Sequence, residues 1–177
     1  QRDIKLLLAY GTVSQLGFLL VILSVGTRAA ALAGLALLVA HALFKATLFL
    51  VVGIVDHQAG TRDLRKLSGV GRSAPALAVT AVLADASMAG LPPLAGFLGK
   101  YYIFLALIET EHYALAVIGC LYAAVALYYY FRIVRAMFNV EDVTGVPAPA
   151  RSFGFQVALL VTGIMTVAVG IYPEPFL

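Results

Sequence analysis

The chain has 177 residues, of which 62% are hydrophobic and only 21 are charged, 12 basic and 9 acidic; a soluble domain carries roughly 25% charge. A mean hydropathy of +0.97 leaves too little polar chain to cover a water-exposed surface, which excludes a soluble enzyme, a nucleic-acid-binding module and a disordered linker. The formal net charge of +3 is explained first by membrane topology rather than by an anionic partner.

A helix crossing a hydrocarbon core of about 30 Å needs about 20 apolar residues, and this length divides the sequence. Residues 6–26 form the first apolar run, closed by Gly26, Thr27 and Arg28, and residues 29–55 form the second, with His41 and Lys45 inside it. The polar stretch 56–73 (DHQAGTRDLRKLSGVGRS) is predicted as a loop. The third run, 75–108, has 34 residues; as one straight helix it would reach about 50 Å, too long for one crossing. Its middle, SMAGLPPLAGFLGK, contains Gly90, Pro92, Pro93, Gly96 and Gly99, which remove donors and loosen the backbone. The prediction is a broken helix, interrupted at Gly90–Pro93, with halves at about 75–89 and 94–108. Irregular backbone at membrane depth requires protein or a water-filled cavity around it, so the break points to a functional interior.

The fourth run, 113–138, carries Tyr128, Tyr129, Tyr130 and Phe131 followed by Arg132 and Arg135, a pattern expected at a membrane interface. Residues 139–152 form a second polar loop, and 153–172 a fifth run stopped by Pro173 and Pro175. The predicted fold class is all-α: an integral membrane bundle of about five helices in a single transmembrane domain, 1–177. Gln1, Arg2, Asp3 and Lys5 do not resemble a signal peptide, and the chain reads as a segment of something longer.

Five crossings place the N-terminus, loop 56–74 and loop 132–152 on one face. That face holds Arg2, Lys5, Arg62, Arg65, Lys66, Arg72, Arg132, Arg135 and Arg151, and the other only Arg28. Such an asymmetry predicts a cytoplasmic N-terminal end. The two basic residues left over, Lys45 and Lys100, lie inside the membrane.

An intramembrane lysine costs roughly 2.5 to 3.5 kcal/mol on insertion scales, so it tends to face a protein interior and to function. His41 precedes Lys45 by four residues and shares its helical face, and a desolvated lysine beside a histidine is suited to pass a proton through water. The alternatives are a snorkelling or structural lysine and a histidine that packs helices. Lys100 falls in the second half-helix. Asp85, the carboxylate inside a predicted span, is read in three ways: as the counter-ion of Lys100 or Lys45, as a proton carrier, or as a solvated group on a shallow half-helix. Thr12, Ser14 and Gln15 make interhelical hydrogen bonds or line a hydrated path. The lone Cys120, and Asp56 and His57 side by side without further ligands, do not suggest a metal site. No phosphate-binding loop, dinucleotide fingerprint or haem or iron–sulfur ligation is present, so no cofactor and no catalytic redox residue is expected.

The segments 3–17 (DIKLLLAYGTVSQLG), 41–46 (HALFKA), 53–67 (GIVDHQAGTRDLRKL) and 87–100 (SMAGLPPLAGFLGK) resemble the antiporter-like family. It comprises the large subunits of Mrp-type cation/proton antiporters and the proton-pumping membrane subunits of respiratory complex I and related hydrogenases. The second and third segments look most like the Mrp protein, whereas YYYFRIVRAMF at 128–138 looks more like complex I. The resemblance implies inverted five-helix repeats with broken helices around a hydrated axis of lysines, histidines and a glutamate. On that pattern Lys45 matches the family's central lysine, His41 the histidine one turn before it, and Lys100 the terminal lysine of the broken helix. Leu37 stands where many relatives carry another histidine, Asp85 stands where small or hydroxyl residues are usual, and the first repeat with its glutamate–lysine pair is not in this sequence. The implied function is proton translocation within a cation/proton (Na+/H+) antiporter complex, or in the alternative within an NADH-quinone oxidoreductase. The reading of another class is a non-conducting structural subunit. Implied partners are other membrane subunits, protons, sodium ions in the Mrp case and the lipid bilayer, in a bacterial inner membrane.

Overall fold

The computed structural model describes residues 1–139 and 153–172, and the regular structure among them is helical. Helix α1 (Ile4–Ser24) starts at Asp3, whose carboxylate accepts the Lys5 and Leu6 N–H groups at 2.8 and 3.1 Å and so satisfies two donors that a helix start otherwise leaves open. Helix α2 (Arg28–Ala59) is capped by the Thr27 hydroxyl, which accepts from Ala30 N–H at 3.1 Å, and ends at Gly60. Its 32 residues reach about 48 Å, longer than the hydrocarbon core. Asp56 and His57, expected in a loop, therefore belong to its last turns, where Asp56 pairs with Arg62 at 2.8 Å.

After α2 the chain makes a 3-10 turn at Leu64–Lys66 and the single turn α3 (Val70–Ser73). This stretch is tied to both neighbours in space. Ile4 N–H donates to the Arg62 carbonyl at 3.0 Å and Leu64 N–H to the Arg2 carbonyl at 2.9 Å, an isolated antiparallel bridge between Asp3 and Asp63. Ser68 Oγ and Gly69 N–H both donate to the Asn139 carbonyl, at 2.8 and 3.1 Å, just past helix α6 (Tyr113–Phe138). The N-terminus, the connection that follows α2 and the end of α6 thus share one end of the bundle. Arg151, the rest of the second polar loop, Pro173 and Pro175 lie outside the described residues.

The long third run is two helices, α4 (Pro75–Ala89) and α5 (Ala95–Glu109), and the last run is α7 (Phe153–Ile171). Helix α2 is the centre of the bundle and packs against α1, α4, α5 and α7. Close approach is possible because Ala33, Ala40, Ala78, Ala81 and Ala84 are buried at the contacts; between membrane helices, where lipid competes for apolar surface, small residues make such packing favourable. One buried apolar cluster gathers Leu8, Phe44, Leu48, Met88 and Ile133, and a second gathers Phe18, Ile22, Leu37, Ile103 and Leu107.

The outside is apolar too. Val13, Leu20, Leu121, Val125 and Ile164 are exposed, which a bilayer accommodates and water does not. Helices Ile4–Ser24, Arg28–His57 and Tyr113–Phe138 are long and apolar enough to cross a membrane, and Pro75–Ala89 and Gln156–Ile171 are shorter apolar helices. The architecture is an all-α membrane bundle with its third helix broken. The aromatic cluster at the end of α6 needs a correction: Tyr128 (75% exposed) and Phe131 (63%) face outward as an interfacial pair would, but Tyr130 (1%) points into the core. A helix turns 100° per residue, so a run of adjacent aromatics cannot share one face.

Candidate functional site

The helix break is held by reciprocal capping. Helix α4 ends at Gly90, whose φ of 88° is open to glycine without strain. The Gly90 and Leu91 N–H groups bond back to Ala86 and Ser87, leaving the Met88 and Ala89 carbonyls at the negative end of the helix. Lys100 Nζ, reaching back from α5, donates to both, at 2.8 and 3.0 Å. In the other direction the Ser87 hydroxyl accepts Gly96 N–H at 3.1 Å in the first turn of α5. Gly96 has no substitute here, because a Cβ would run into the Ser87 carbonyl. Lys100 is 5% exposed and its ammonium also lies 5.8 Å from the centre of the Phe18 ring, a cation–π distance.

Lys45 occupies a different setting. It is 6% exposed near the middle of α2, and its Nζ donates a short hydrogen bond to the Leu8 carbonyl of α1. Gly11, one turn on, leaves a gap that Lys45 shares with Tyr130 of α6: a Cβ on Gly11 would stand 3.1 Å from Lys45 Nζ and 2.9 Å from Tyr130 Oη. Asp85 of α4 is 2% exposed, and neither of its carboxyl oxygens has a hydrogen-bond partner among the described residues. It is buried, not on a shallow, solvent-exposed half-helix, and it makes no ion pair among the described residues. The ion pairs among the described residues are Arg62–Asp56 and Arg65–Asp63, so neither Lys45 nor Lys100 holds Asp85 in a direct salt bridge. Both lysines give their hydrogen bonds to backbone carbonyls instead.

His41 is half-buried one turn before Lys45 and feels its charge; its ring packs edge-on against Phe44 at 5.2 Å, and its Nδ1 has no partner among the described residues. Gln15 Nε2 donates to the Met88 carbonyl at 3.2 Å, the same oxygen that accepts from Lys100. Gln15 and His41 also border a common void of about 10 Å³. Thr12 folds its hydroxyl back on the Leu8 carbonyl at 3.4 Å, so it joins the carbonyl that receives Lys45. Ser14 faces outward with Tyr129 into a groove of about 620 Å³ between α1 and α6 that Tyr10, Gly17, Phe18 and Tyr122 also line.

The structure therefore gathers Lys45, His41, Asp85 and Gln15 in one interior and connects Lys100 to it through Met88. Sequence reasoning missed Ser87, hidden by its ordinary appearance before the Gly-Pro break, and Tyr130, hidden by its exposed neighbours. Buried amine, imidazole, carboxyl and phenol groups, joined by backbone carbonyls, can hold and hand on protons; among the described residues no three His, Cys, Asp or Glu side chains cluster as a metal site would. Outside the membrane spans, Asp63 is held by two Arg65 hydrogen bonds, 2.7 and 3.1 Å, which bring its carboxyl down to about 2.

Comparison with known proteins bears on the family and the fold. The family described as NADH:quinone oxidoreductase/Mrp antiporter, TM, matches residues 1–126. NADH-quinone oxidoreductase subunit N 2 of Solibacter usitatus is 47% identical over 180 residues, covering 100% of this chain and 36% of that protein. A Rhizobium meliloti protein, named as a probable K(+)/H(+) antiporter component, is 50% identical over 111 residues, 63% of this chain and 11% of that protein. Among solved structures, respiratory complex I from Thermus thermophilus superposes with a TM-score of 0.88 at 29% identity, over 99% of this chain and 37% of that one. The Mrp complex from Dietzia sp. shares the fold, with a TM-score of 0.89 at 23% identity over 99% of this chain and 41% of that one. The chain spans little more than a third of the length of the curated relatives that it matches from end to end. It belongs to the membrane subunit family shared by NADH:quinone oxidoreductases and Mrp antiporters.

Proposed function

We propose that the chain forms the second-repeat portion of a proton-translocating membrane subunit. Lys45 relays protons with His41, and Lys100 exchanges them with one aqueous side by changing protonation, without bond chemistry on carbon. The observation that carries this reading is a pair of lysines, each at most 6% exposed inside apolar helices, whose hydrogen bonds go to backbone carbonyls and not to carboxylates. A lysine that needed only to be neutralised would sit against an acid; one that accepts and releases a proton needs partners that tolerate both of its states. Asp85 serves as a distant counter-charge to Lys45, and Gln15 and Thr12 line the path.

Two settings supply the driving force. In an oxidoreductase, electron transfer in partner subunits drives pumping, and identity along the whole chain to a subunit N favours this setting. In an Mrp-type complex sodium or another cation exchanges for protons, and the 50% identity over 111 residues to an antiporter protein favours that one. Either places the chain among other membrane subunits in a bacterial inner membrane, with its basic, N-terminal end in the cytoplasm. In the reconstituted complex Lys45→Ala is expected to abolish proton flux while assembly is retained; unchanged flux rejects the relay and leaves a structural subunit. Flux measured with and without sodium separates the two settings.

A further inference from the structure

We propose that the Tyr130 hydroxyl carries protons in the buried centre, completing with Lys45 and Asp85 a three-group site contributed by α6, α2 and α4. The inference rests on the relay reading for Lys45 and adds to it a residue which that reading does not include. Tyr130 is the largest side chain among those almost wholly buried, and its buried neighbours along α6 are Ala126, Ile133 and Met137. A phenylalanine would fill the same space without the cost of placing a hydroxyl among them. That hydroxyl ends at the Gly11 gap, beside the space that Lys45 Nζ occupies. On its other side the Tyr129 hydroxyl donates to it at 3.3 Å. Asp85 stands one turn beyond Ala81 of α4, which borders a common void with Ile133, one turn from Tyr130 on α6; both its carboxyl oxygens are buried and unpartnered among the described residues.

A hydroxyl between an ammonium and a carboxylate can transfer a proton without ionising itself. One N–H bond of the Lys45 ammonium breaks as that proton bonds to the Tyr130 oxygen. The phenol O–H bond breaks as its proton passes to the Asp85 carboxylate, with water completing either gap. Lys45 ends as an amine, Asp85 as a carboxylic acid and Tyr130 as it began. The exchange turns two buried charges into two neutral groups, so Lys45 can empty and refill without leaving an isolated charge in a low-dielectric interior. Tyr129, which lines the outer groove with Ser14, connects this site to the face between α1 and α6.

The test uses the assembled complex in proteoliposomes. Tyr130→Phe is expected to lower proton flux about a hundredfold with subunit composition and unfolding midpoint unchanged, and Asp85→Asn to lower it comparably, with no further loss in the double variant. Fluorotyrosines at position 130 keep the ring's shape but make the phenol more acidic, and flux is expected to change in step with that acidity. A tyrosine that only packs would leave flux indifferent to fluorination, which overturns the proposal even if Tyr130→Phe fails to assemble. Full flux in Tyr130→Phe, where Lys45→Ala has none, overturns the tyrosine's role and keeps the relay. Flux that survives Lys45→Ala overturns both.

Discussion

Lys45 and Lys100 are both buried lysines in apolar helices, yet their surroundings differ in kind. Lys100 donates to two carbonyls that a broken helix leaves open, and its own half-helix begins five residues earlier, so its ammonium closes the loop that presents it. Lys45 bonds to one carbonyl of a neighbouring continuous helix, beside a phenol, in an interior that also holds a carboxyl unpartnered among the described residues. The first environment ties the charge to the architecture. The second leaves the architecture standing when the charge changes. Burial alone therefore does not tell what a lysine does; the groups that receive its protons do.

Three experiments would sharpen or break this contrast. The largest effect is expected from Gly96→Ala at the break, where the new Cβ meets the Ser87 backbone carbonyl and neither helix end can shift without losing its cap. A loss of about 3 kcal/mol, read as a lower unfolding midpoint in lipid nanodiscs, is expected; an unchanged midpoint would mean that the two half-helices are not held by the Ser87 contact. Next comes a pair of uncharged, similarly shaped substitutions. Lys100→Met strips the ammonium from the Met88 and Ala89 carbonyls and should cost about 2 kcal/mol, whereas Lys45→Met should cost less than about 1 kcal/mol, because the Leu8 carbonyl keeps its place in the α1 ladder and a buried charge is removed. Both variants should lose proton flux. Equal stability losses would erase the distinction between a lysine that also caps a helix end and one that does not.

The smallest effect belongs to the membrane-external end. Arg65 holds the Asp63 carboxyl at about 2, below its ordinary 3.8. The depressed value means that the Asp63–Arg65 link contributes fully above the ordinary carboxylate range and is lost as pH falls through about 2. Because Arg65 is exposed and Asp63 partly so, the contribution to overall stability is slight. Carbon NMR of the Asp63 carboxyl should show a midpoint near 2 that returns to the ordinary range in Arg65→Ala; an ordinary midpoint in the unaltered chain would show that the ion pair does not hold the turn.

Much of the fold was legible in the sequence because a bilayer imposes a simple rule on it. Apolar length marks a crossing, and a 34-residue run with Gly90, Pro92 and Pro93 at its middle cannot be one straight helix. The end of α2 was less legible: Asp56 and His57 look like loop residues, but the helix outruns the hydrocarbon core, and polar residues are free to continue it there. At the site, the scarcity of charge made Lys45, Lys100 and Asp85 conspicuous. Tyr130 stayed hidden because hydrophobicity scales do not distinguish a tyrosine that faces lipid from one that faces a lysine.

By itself the sequence determined that this is a membrane bundle, where its third helix breaks and which titratable residues lie within the crossings, since each follows from local composition and chain length. Only the tertiary structure decided what those residues meet. Lys100 turned back on its own helix break, Asp85 was buried without an ion pair to either lysine among the described residues, and Tyr130 entered the core while Tyr128 did not. These outcomes depend on how α1, α2, α4 and α6 rotate about their axes as they pack. That rotation is set by the fit of small residues such as Gly11 and Ala81 against distant side chains, and no single helix encodes it.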